Sequence, residues 1–136
     1  MIVVDTNVIA YLLISGDRSE ICQQVLNRDP IWAAPLLWRS EFRNVLTLYV
    51  RQSRLPMDEA VQIMDAAIDL MHGNEYELDT RQVLESAARN GCSAYDAEFV
   101  TLADDLNIAL VTVDRRLRAY APKRTMSPES FLASEE

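Results

Sequence analysis

The sequence is poor in residues that several familiar chemistries require. Its 136 residues include one histidine, one lysine, two cysteines and three glycines. A single histidine excludes any mechanism that needs two, and three scattered glycines form no glycine-rich phosphate loop. Cys22 and Cys92 lie far apart without a CxxC spacing, so neither a disulfide framework nor a thiolate zinc site is predicted. We expect both cysteines to be reduced and buried.

Long apolar runs are also lacking. No segment approaches the roughly 20 apolar residues that cross a bilayer. The N-terminal stretch MIVVDTNVIAYLLIS begins without a basic region and is interrupted by Asp5 and Asn7, which is not typical of a signal peptide. We therefore expect a cytoplasmic protein. The length of 136 residues and the apolar content of 49% predict one globular domain over residues 1–136.

Positive charge is scarce, since 13 basic residues face 21 acidic ones and the net charge is −8. This balance argues against a nucleic-acid partner, because phosphate binding normally depends on clustered Lys and Arg. Two observations weaken the objection: a carboxylate site binds phosphate through its metal, and no acid lies between Asp114 and Glu129. That acid-free segment holds five of the thirteen basic residues: Arg115, Arg116, Arg118, Lys123 and Arg124.

Short β-branched runs alternate with stretches of helical periodicity, which favours an α/β domain with a central parallel sheet flanked by helices. The runs at 2–4, 31–33, 75–78 and 108–113 predict strands. Apolar spacing and breaker residues predict helices at 7–14, 19–27, 35–51, 56–71, 80–90 and 93–106, a short helix from Asp114, and a capped turn at 127–132.

Asp5 ends the first predicted strand and Asp114 ends the last one. Ligands of parallel α/β sheets bind at the carboxyl edge of the strands, so both acids are expected where sites are built. The alternative is structural, because Asp at a strand-to-helix junction is a favoured N-cap. Each acid taken alone fits the cap at least as well as the site.

Glu41 is harder to explain as a structural residue. On a helix of about 100° per residue, Leu37, Trp38, Val45 and Leu48 fall within roughly 60° of it. A carboxylate in the middle of an apolar stripe requires a cation or a raised pKa, because burying it unpaired costs several kcal/mol. We expect a metal ligand, and the alternative is a buried salt bridge.

Asp96 lies three residues after Ser93, a spacing that resembles a capping box. The cap and the site are compatible, because an acid in the first helical turn still lies near the sheet edge. Asp104 and Asp105 fall late in the same predicted helix and are expected to be solvated.

Several carboxylates at one sheet edge suit Mg²⁺ or Mn²⁺ chemistry. Mg²⁺ prefers oxygen ligands and is held by a few carboxylates together with substrate phosphate. Such an ion lowers the pKa of bound water and neutralises charge that builds on the phosphate. Without a cation, clustered carboxylates raise one another's pKa. The sequence offers no convincing alternative nucleophile or phosphate loop.

The segments VVDTNVIAYLL, LLWRSEFRNVL and CSAYDAEFVTLADDLNIALVTVDRRL resemble the PIN domain in their order and spacing, over nearly the whole chain. Within that family they are most similar to VapC-type toxins of toxin–antitoxin pairs. The resemblance implies a PIN-like fold and a metal-dependent ribonuclease in which a metal-activated water attacks the RNA phosphodiester in line. It also implies an inhibitory antitoxin partner and a homodimer.

Carried onto this sequence, the family's acidic quartet corresponds to Asp5, Glu41, Asp96 and Asp114. The resemblance implies that Asp5 and Asp96 are the main metal ligands and that the other two complete the site. The polar residues that lie beside the acids in the family correspond to Thr6, Asn7 and Thr112. The candidates for contact with substrate phosphate are Arg115, Arg116 and Arg118.

Other functions remain open at this stage. A housekeeping RNA-processing nuclease would use the same acids, and a binding module would keep the fold without turnover. An aspartyl-phosphate enzyme usually carries a second acid two residues after the nucleophile, where this chain has Asn7, and a lysine near the phosphoryl group. The only lysine, Lys123, follows Pro122 far along the chain, which disfavours that chemistry.

Overall fold

A computed structural model describes residues 1–14 and 16–134 of the chain. Its strands are β1 (Ile2–Val4), β2 (Trp32–Pro35), β3 (Glu75–Tyr76), β4 (Leu110–Val111) and β5 (Thr125–Met126). Its helices are α1 (Thr6–Leu13), α2 (Ser19–Arg28), α3 (Trp38–Arg51), α4 (Met57–Met71), α5 (Thr80–Asn90), α6 (Ala94–Leu106), α7 (Arg115–Tyr120) and α8 (Pro128–Ala133).

The five strands form one parallel sheet in the order β3-β2-β1-β4-β5. The predicted α/β fold with a central parallel sheet and flanking helices is confirmed. β1 lies in the middle because all three of its residues are apolar and buried. The chain order runs outward from β1 in both directions, toward β2 on one side and β4 on the other. This crossover opens a crevice at the carboxyl end of β1, where ligands of such sheets bind.

The core lies between the sheet and the helices packed on it. Helix α6 contacts β1, β2 and β4 and contributes an almost continuous run of buried side chains, which explains its weak amphipathic pattern. The largest fully buried side chains include Trp32, Trp38, Phe42, Phe99, Ile9, Met71, Leu102, Leu110 and Leu117.

The boundaries differ from the sequence predictions at several points. β5 was not predicted, because two residues are too few to show a strand period. β4 is shorter than 108–113, and 127–132 contains the short helix α8 after its cap at Ser127. Both cysteines are free as predicted, but Cys92 is only half-buried. Within the described residues, no helix combines the length and apolar character needed to cross a membrane.

A charged cluster ties the start of α3 to the edge of the sheet. The carboxylate of Glu75 on β3 accepts hydrogen bonds from Trp38 Nε1 at 2.7 Å and from Arg39 Nε and Nη2 at 2.6 and 2.7 Å. These hydrogen bonds and the positive charge of Arg39 lower the pKa of Glu75. Because the indole of Trp38 is fully buried, its N–H depends on this one acceptor.

Replacing Glu75 by Ala is expected to lower the free energy of unfolding by about 2 kcal/mol, because a buried N–H then loses its partner. Urea denaturation at pH 7 measures the change. Glu77→Ala, at an exposed position in the same segment, is the control and should change stability by less than about 0.5 kcal/mol. Equal stability of the two variants would contradict the role given to Glu75.

Candidate active site at the carboxyl edge of the sheet

Four acids from distant parts of the sequence lie around the crevice beside β1. Asp5 directly follows β1, Asp114 follows β4, and Glu41 and Asp96 lie in the first turns of α3 and α6. Their charges act on one another: Glu41 and Asp96 raise the pKa of Asp5, and Asp114 raises that of Asp96. The structure therefore brings the predicted quartet into one electrostatic neighbourhood.

Asp5 is the most deeply buried of the four, with 9% of its surface exposed. Its Oδ1 accepts a hydrogen bond from the backbone N–H of Thr6 at 2.8 Å and caps α1. Its Oδ2 accepts from Thr112 Oγ1 at 2.7 Å and from Asn7 Nδ2 at 3.2 Å. The cap predicted as the structural alternative is real, and it leaves the carboxylate directed into the shared crevice.

Burial raises the pKa of Asp5 from its ordinary value of 3.8 to about 6. The hydrogen bonds from Thr112 and Thr6 oppose this rise, whereas the charges of Glu41 and Asp96 add to it. The hydrogen bonds favour the ionised form but do not outweigh the desolvation. A cation placed beside this buried carboxylate would stabilise its ionised form.

Glu41 is half-buried and is held by Thr6, whose Oγ1 donates to Glu41 Oε1 at 2.6 Å. Burial is the largest cause that raises the pKa of Glu41, and the charges of Asp96 and Glu98 add to it. Thr6 thus joins two of the acids, because its backbone N–H binds Asp5 and its hydroxyl binds Glu41.

The position predicted for Glu41 within its helix was wrong in one respect. Helix α3 begins at Trp38 and not at Pro35, and its buried stripe consists of Trp38, Phe42 and Leu46. Leu48, which was placed in the stripe, is 46% exposed. Glu41 therefore lies at the edge of the apolar stripe and not in its middle. The buried salt bridge offered as the alternative is absent among the described residues.

Asp96 lies in the first turn of α6, which Ser93 caps. The hydroxyl of Ser93 accepts a hydrogen bond from the backbone N–H of Asp96 at 3.0 Å, as the Ser-x-x-acid spacing predicted. Burial and the charge of Asp114 raise the pKa of Asp96, while the charge of Arg116 lowers it. The carboxylate makes no hydrogen bond within the described part of the chain, so it is free to take a ligand.

Asp114 caps α7 through one oxygen. Its Oδ1 accepts from the backbone N–H groups of Arg116 at 2.8 Å and Leu117 at 3.4 Å. Its own backbone N–H donates to Thr112 Oγ1 at 3.0 Å. Because the same hydroxyl donates to Asp5, Thr112 couples the acid after β1 to the loop that carries Asp114.

The three polar residues expected beside the acids are all in contact with them. Thr6 binds Asp5 and Glu41, and Thr112 binds Asp5. Asn7 spans the crevice: its Nδ2 donates to Asp5 and Thr112, and its Oδ1 accepts from the backbone N–H of Val113 at 3.4 Å.

The three arginines after Asp114 have different positions. Arg116 is exposed and lies near Tyr120, Asp114 and Asp96, which together raise its pKa. Arg118 is half-buried and donates from Nη1 to the carbonyl oxygen of Thr112 at 2.9 Å. Arg115 is exposed and lines a groove together with Tyr11 of α1 and Arg118.

The remaining candidates lie away from the crevice. Asp104 and Asp105 are exposed as predicted, and Asp104 pairs with Arg124 at 2.8 Å. Sequence reasoning overlooked Glu98, which is half-buried two residues after Asp96 and whose charge acts on Glu41. The available signal was an acid on a helix whose other residues from 97 to 103 are buried.

The four acids have the ligand chemistry that a divalent cation requires, but their positions do not form a complete site. They supply hard oxygen ligands, and across the described residues no Lys or Arg forms an ion pair with any of the four. As placed, however, no three Asp, Glu, His or Cys side chains of the described chain are close enough to hold one ion. An ion shared by three of these acids would need their side chains to rotate toward a common point.

Fold and site together define a class of protein, a small parallel α/β domain with an acidic crevice at the crossover of its sheet. The model of the PIN domain family matches residues 2–123. The chain belongs to the PIN domain family, as its sequence motifs indicated.

The chain is similar to proteins from three organisms. It is 27% identical to Ribonuclease VapC3 of Pyrobaculum aerophilum over 124 residues, which cover 89% of this chain and 95% of the relative. The crystal structure of PAE2754 from the same organism matches with a TM-score of 0.77 at 23% identity, covering 96% of this chain and 85% of that one.

Two further structures share the fold. A toxin–antitoxin complex from Klebsiella pneumoniae has a TM-score of 0.68 at 18% identity, covering 94% of this chain and 98% of the matched one. FitAcB from Neisseria gonorrhoeae has a TM-score of 0.70 at 19% identity, with coverages of 95% and 99%.

The raised pKa of Asp5 makes the stability of the metal-free protein depend on pH. Between pH 3.8 and about 6 the folded state binds more protons at Asp5 than the unfolded state does, so stability falls as pH rises through this window. Asp5→Asn removes this dependence. Between pH 4 and pH 7.5, the free energy of unfolding of the variant is expected to rise by about 2–3 kcal/mol relative to that of wild type.

Denaturant unfolding in EDTA across this pH range measures the gain, with Asp105→Asn, an exposed acid late in α6, as the control. A constant stability difference between Asp5→Asn and wild type at all pH values would show that Asp5 is ionised normally.

Proposed function

We propose that this chain is an endoribonuclease dependent on Mg²⁺ or Mn²⁺ and the toxin of a type II toxin–antitoxin pair, acting in the cytoplasm. The observation that carries the proposal is the group of acids at the sheet crossover, Asp5, Glu41, Asp96 and Asp114, without a pairing cation among the described residues. Membership of the PIN family and the likeness to Ribonuclease VapC3 support it.

Asp5 and Asp96 are the proposed main ligands of the metal, with Glu41 and Asp114 completing the site. Asp5 supplies the fixed position, since both of its oxygens are oriented by hydrogen bonds. Asp96 supplies a carboxylate that accepts no hydrogen bond from the described residues. When bound, a divalent ion of this kind provides a nucleophile near neutral pH and neutralises charge on the phosphodiester.

The polar neighbours have positioning roles in this proposal. Thr6 holds Asp5 and Glu41 at a fixed separation, and Thr112 does the same for Asp5 and the Asp114 loop. Ligand-orienting partners of this kind typically contribute 10–100-fold in metal affinity or activity, as an order of magnitude. Arg116, exposed beside Asp96 and Asp114, is placed to contact a substrate phosphate.

A toxin is favoured over a housekeeping nuclease, because one similar protein is Ribonuclease VapC3 and one similar fold comes from a toxin–antitoxin complex. An antitoxin requires a surface to cover. An open apolar groove of about 550 Å³ lies between α3 and α4, with Met57 63% and Val61 53% exposed. Exposed apolar patches of this kind mark protein interaction sites. We propose that the antitoxin covers this groove, and that the chain also forms a homodimer.

Cleavage of total RNA by the purified chain without its partner tests the nuclease. We expect discrete fragments with Mn²⁺ or Mg²⁺ and none in EDTA. Asp96→Asn and Glu41→Gln should each lose at least about 100-fold in rate, because they remove ligands and not merely their partners. Glu41→Gln retains its packing, so circular dichroism should show an unchanged fold.

Asp105→Asn is the matched control for Asp96→Asn, since it makes the same charge change later in α6 on an exposed face. It should cleave like wild type. Cleavage that resists EDTA, or an Asp96→Asn variant with wild-type turnover, would refute the metal site.

The double variant Met57→Asp with Val61→Asp is expected to lose its complex with the co-expressed antitoxin while retaining RNA cleavage, because charge is introduced only into the groove. Size-exclusion chromatography with light scattering measures the complex. Leu84→Asp, 59% exposed on α5, is the control. If the chain alone is dimeric and the double variant is monomeric, the groove is the dimer interface and the antitoxin assignment is wrong.

A further inference from the structure

A second groove lies beside the acidic crevice and has the opposite charge. Its volume is about 370 Å³, and it runs between α1, the start of α7 and the start of α8. We call it the arginine groove. Its lining residues are Tyr11, Arg18, Val113, Arg115, Arg118, Ser127 and Glu129.

Three arginines and one carboxylate line this groove, and two of the arginines act directly on the carboxylate. Arg18 Nη2 donates to Glu129 Oε2 at 2.9 Å. A backbone hydrogen bond at Glu129 lowers the pKa of that residue most, and the hydrogen bond from Arg18 and the charges of Arg18 and Arg118 lower it further. The carboxylate thus lies in the positive field of two arginines while Arg115 stands exposed beside them. In a chain of net charge −8, this is a local excess of positive charge.

The arginines retain unused hydrogen-bond donors. Arg18 Nε has no partner among the described residues but is itself buried, so the donors open to the groove are the terminal nitrogens of Arg18 and the exposed Arg115. A guanidinium carries five N–H donors in a planar fork that matches an oxyanion with several oxygens. One carboxylate therefore satisfies only part of the donor capacity that the groove presents.

The arginine groove begins where the acidic crevice ends. Val113 lines it and is the residue before Asp114, and the Val113 backbone N–H donates to Asn7, which also contacts Asp5. Tyr11 is four residues after Asn7 on α1, so it lies on the same helix face about 6 Å further along. A strand that crosses the acids can continue directly into the groove.

We propose that the arginine groove binds a backbone phosphate of single-stranded RNA adjacent to the phosphodiester that is cleaved at the acids. Arg18, Arg115 and Arg118 donate to this phosphate, and Glu129 occupies its place in the free protein. The inference rests on the proposed nuclease function, which it extends by assigning a substrate site.

Two features favour a single strand of RNA as the occupant. Arginine forks bind phosphate oxygens through pairs of parallel hydrogen bonds. The ring of Tyr11, 37% exposed at the groove, offers a face on which an unpaired base can stack. Displacement of Glu129 costs little, since both members of the pair are partly exposed, with side-chain exposures of 36% and 55%.

The test is the binding of a labelled single-stranded RNA of about 12 nucleotides, followed by fluorescence anisotropy in EDTA so that no cleavage occurs. Arg18→Gln and Arg115→Gln should each raise Kd roughly fivefold and reduce the slope of log K against log salt by about 0.7. Glu129→Gln should lower Kd at least about twofold, because a competing carboxylate is removed.

The chain contains a matched control pair on α5. Arg81 and Glu85 form an exposed ion pair at 3.6 Å away from both grooves, with side-chain exposures of 84% and 59%. Arg81→Gln and Glu85→Gln make the same charge changes and should leave Kd within about twofold of wild type. Thermal unfolding midpoints verify that each variant is folded, and the exposed Arg115→Gln keeps the test decisive if Arg18→Gln is not.

The outcomes separate the inference from the function on which it rests. If wild type cleaves RNA with metal but Arg115→Gln binds like Arg81→Gln, the groove assignment is wrong and the nuclease stands. A Glu129→Gln variant that binds no more tightly than wild type also overturns it, since the Arg18–Glu129 pair would then serve only to join α2 to α8. If wild type neither binds nor cleaves RNA, both proposals fail.

Discussion

The carboxylate of Asp5 is buried at the end of the central strand, where hydrogen bonds stabilise its charge only in part. Thr6, Asn7 and Thr112 all donate to it, yet burial still raises its pKa to about 6. This arrangement opposes folding near neutral pH, because the ionised form must be desolvated. Such destabilised carboxylates are typical of cation-binding sites, because a bound cation stabilises their ionised form.

The same hydrogen bonds give the crevice its shape. Thr112 directly follows β4, the strand beside β1, and Thr6 begins the helix after β1. The donors to Asp5 therefore also fix the loop that carries Asp114 and position Glu41. The β1–β4 pairing sets the distance between these loops. An acidic group therefore forms because five parallel strands with this order bring their carboxyl ends together. The local sequence around any one acid does not determine it.

The sequence alone predicted the sheet class and three helix caps, because strand-end acids and Ser-x-x-acid spacing are local signals. Glu41 was singled out by its place in an apolar stripe, and the role of the four acids in a metal site stays a prediction. The sequence predictions were wrong where contacts between residues distant in the sequence determine the structure. Pro35 ends β2 and does not open α3, so the stripe shifted and Glu41 moved to its edge. β5 is too short to show a strand period, and the Arg18–Glu129 pair joins residues far apart in the sequence, so neither was predicted.

An acidic chain can act on a polyanion if its charges are separated into adjacent regions. The acids converge on the crossover, where a divalent cation would offset part of the negative charge. Arg18, Arg115 and Arg118 line the arginine groove, which begins at Val113, next to Asp114. Net charge averages over both regions and over the exposed acids of the remaining helices. The net charge of −8 therefore bears on how RNA would approach the chain from a distance. Binding depends instead on electrostatic fields within about one Debye length, roughly 8 Å at physiological salt.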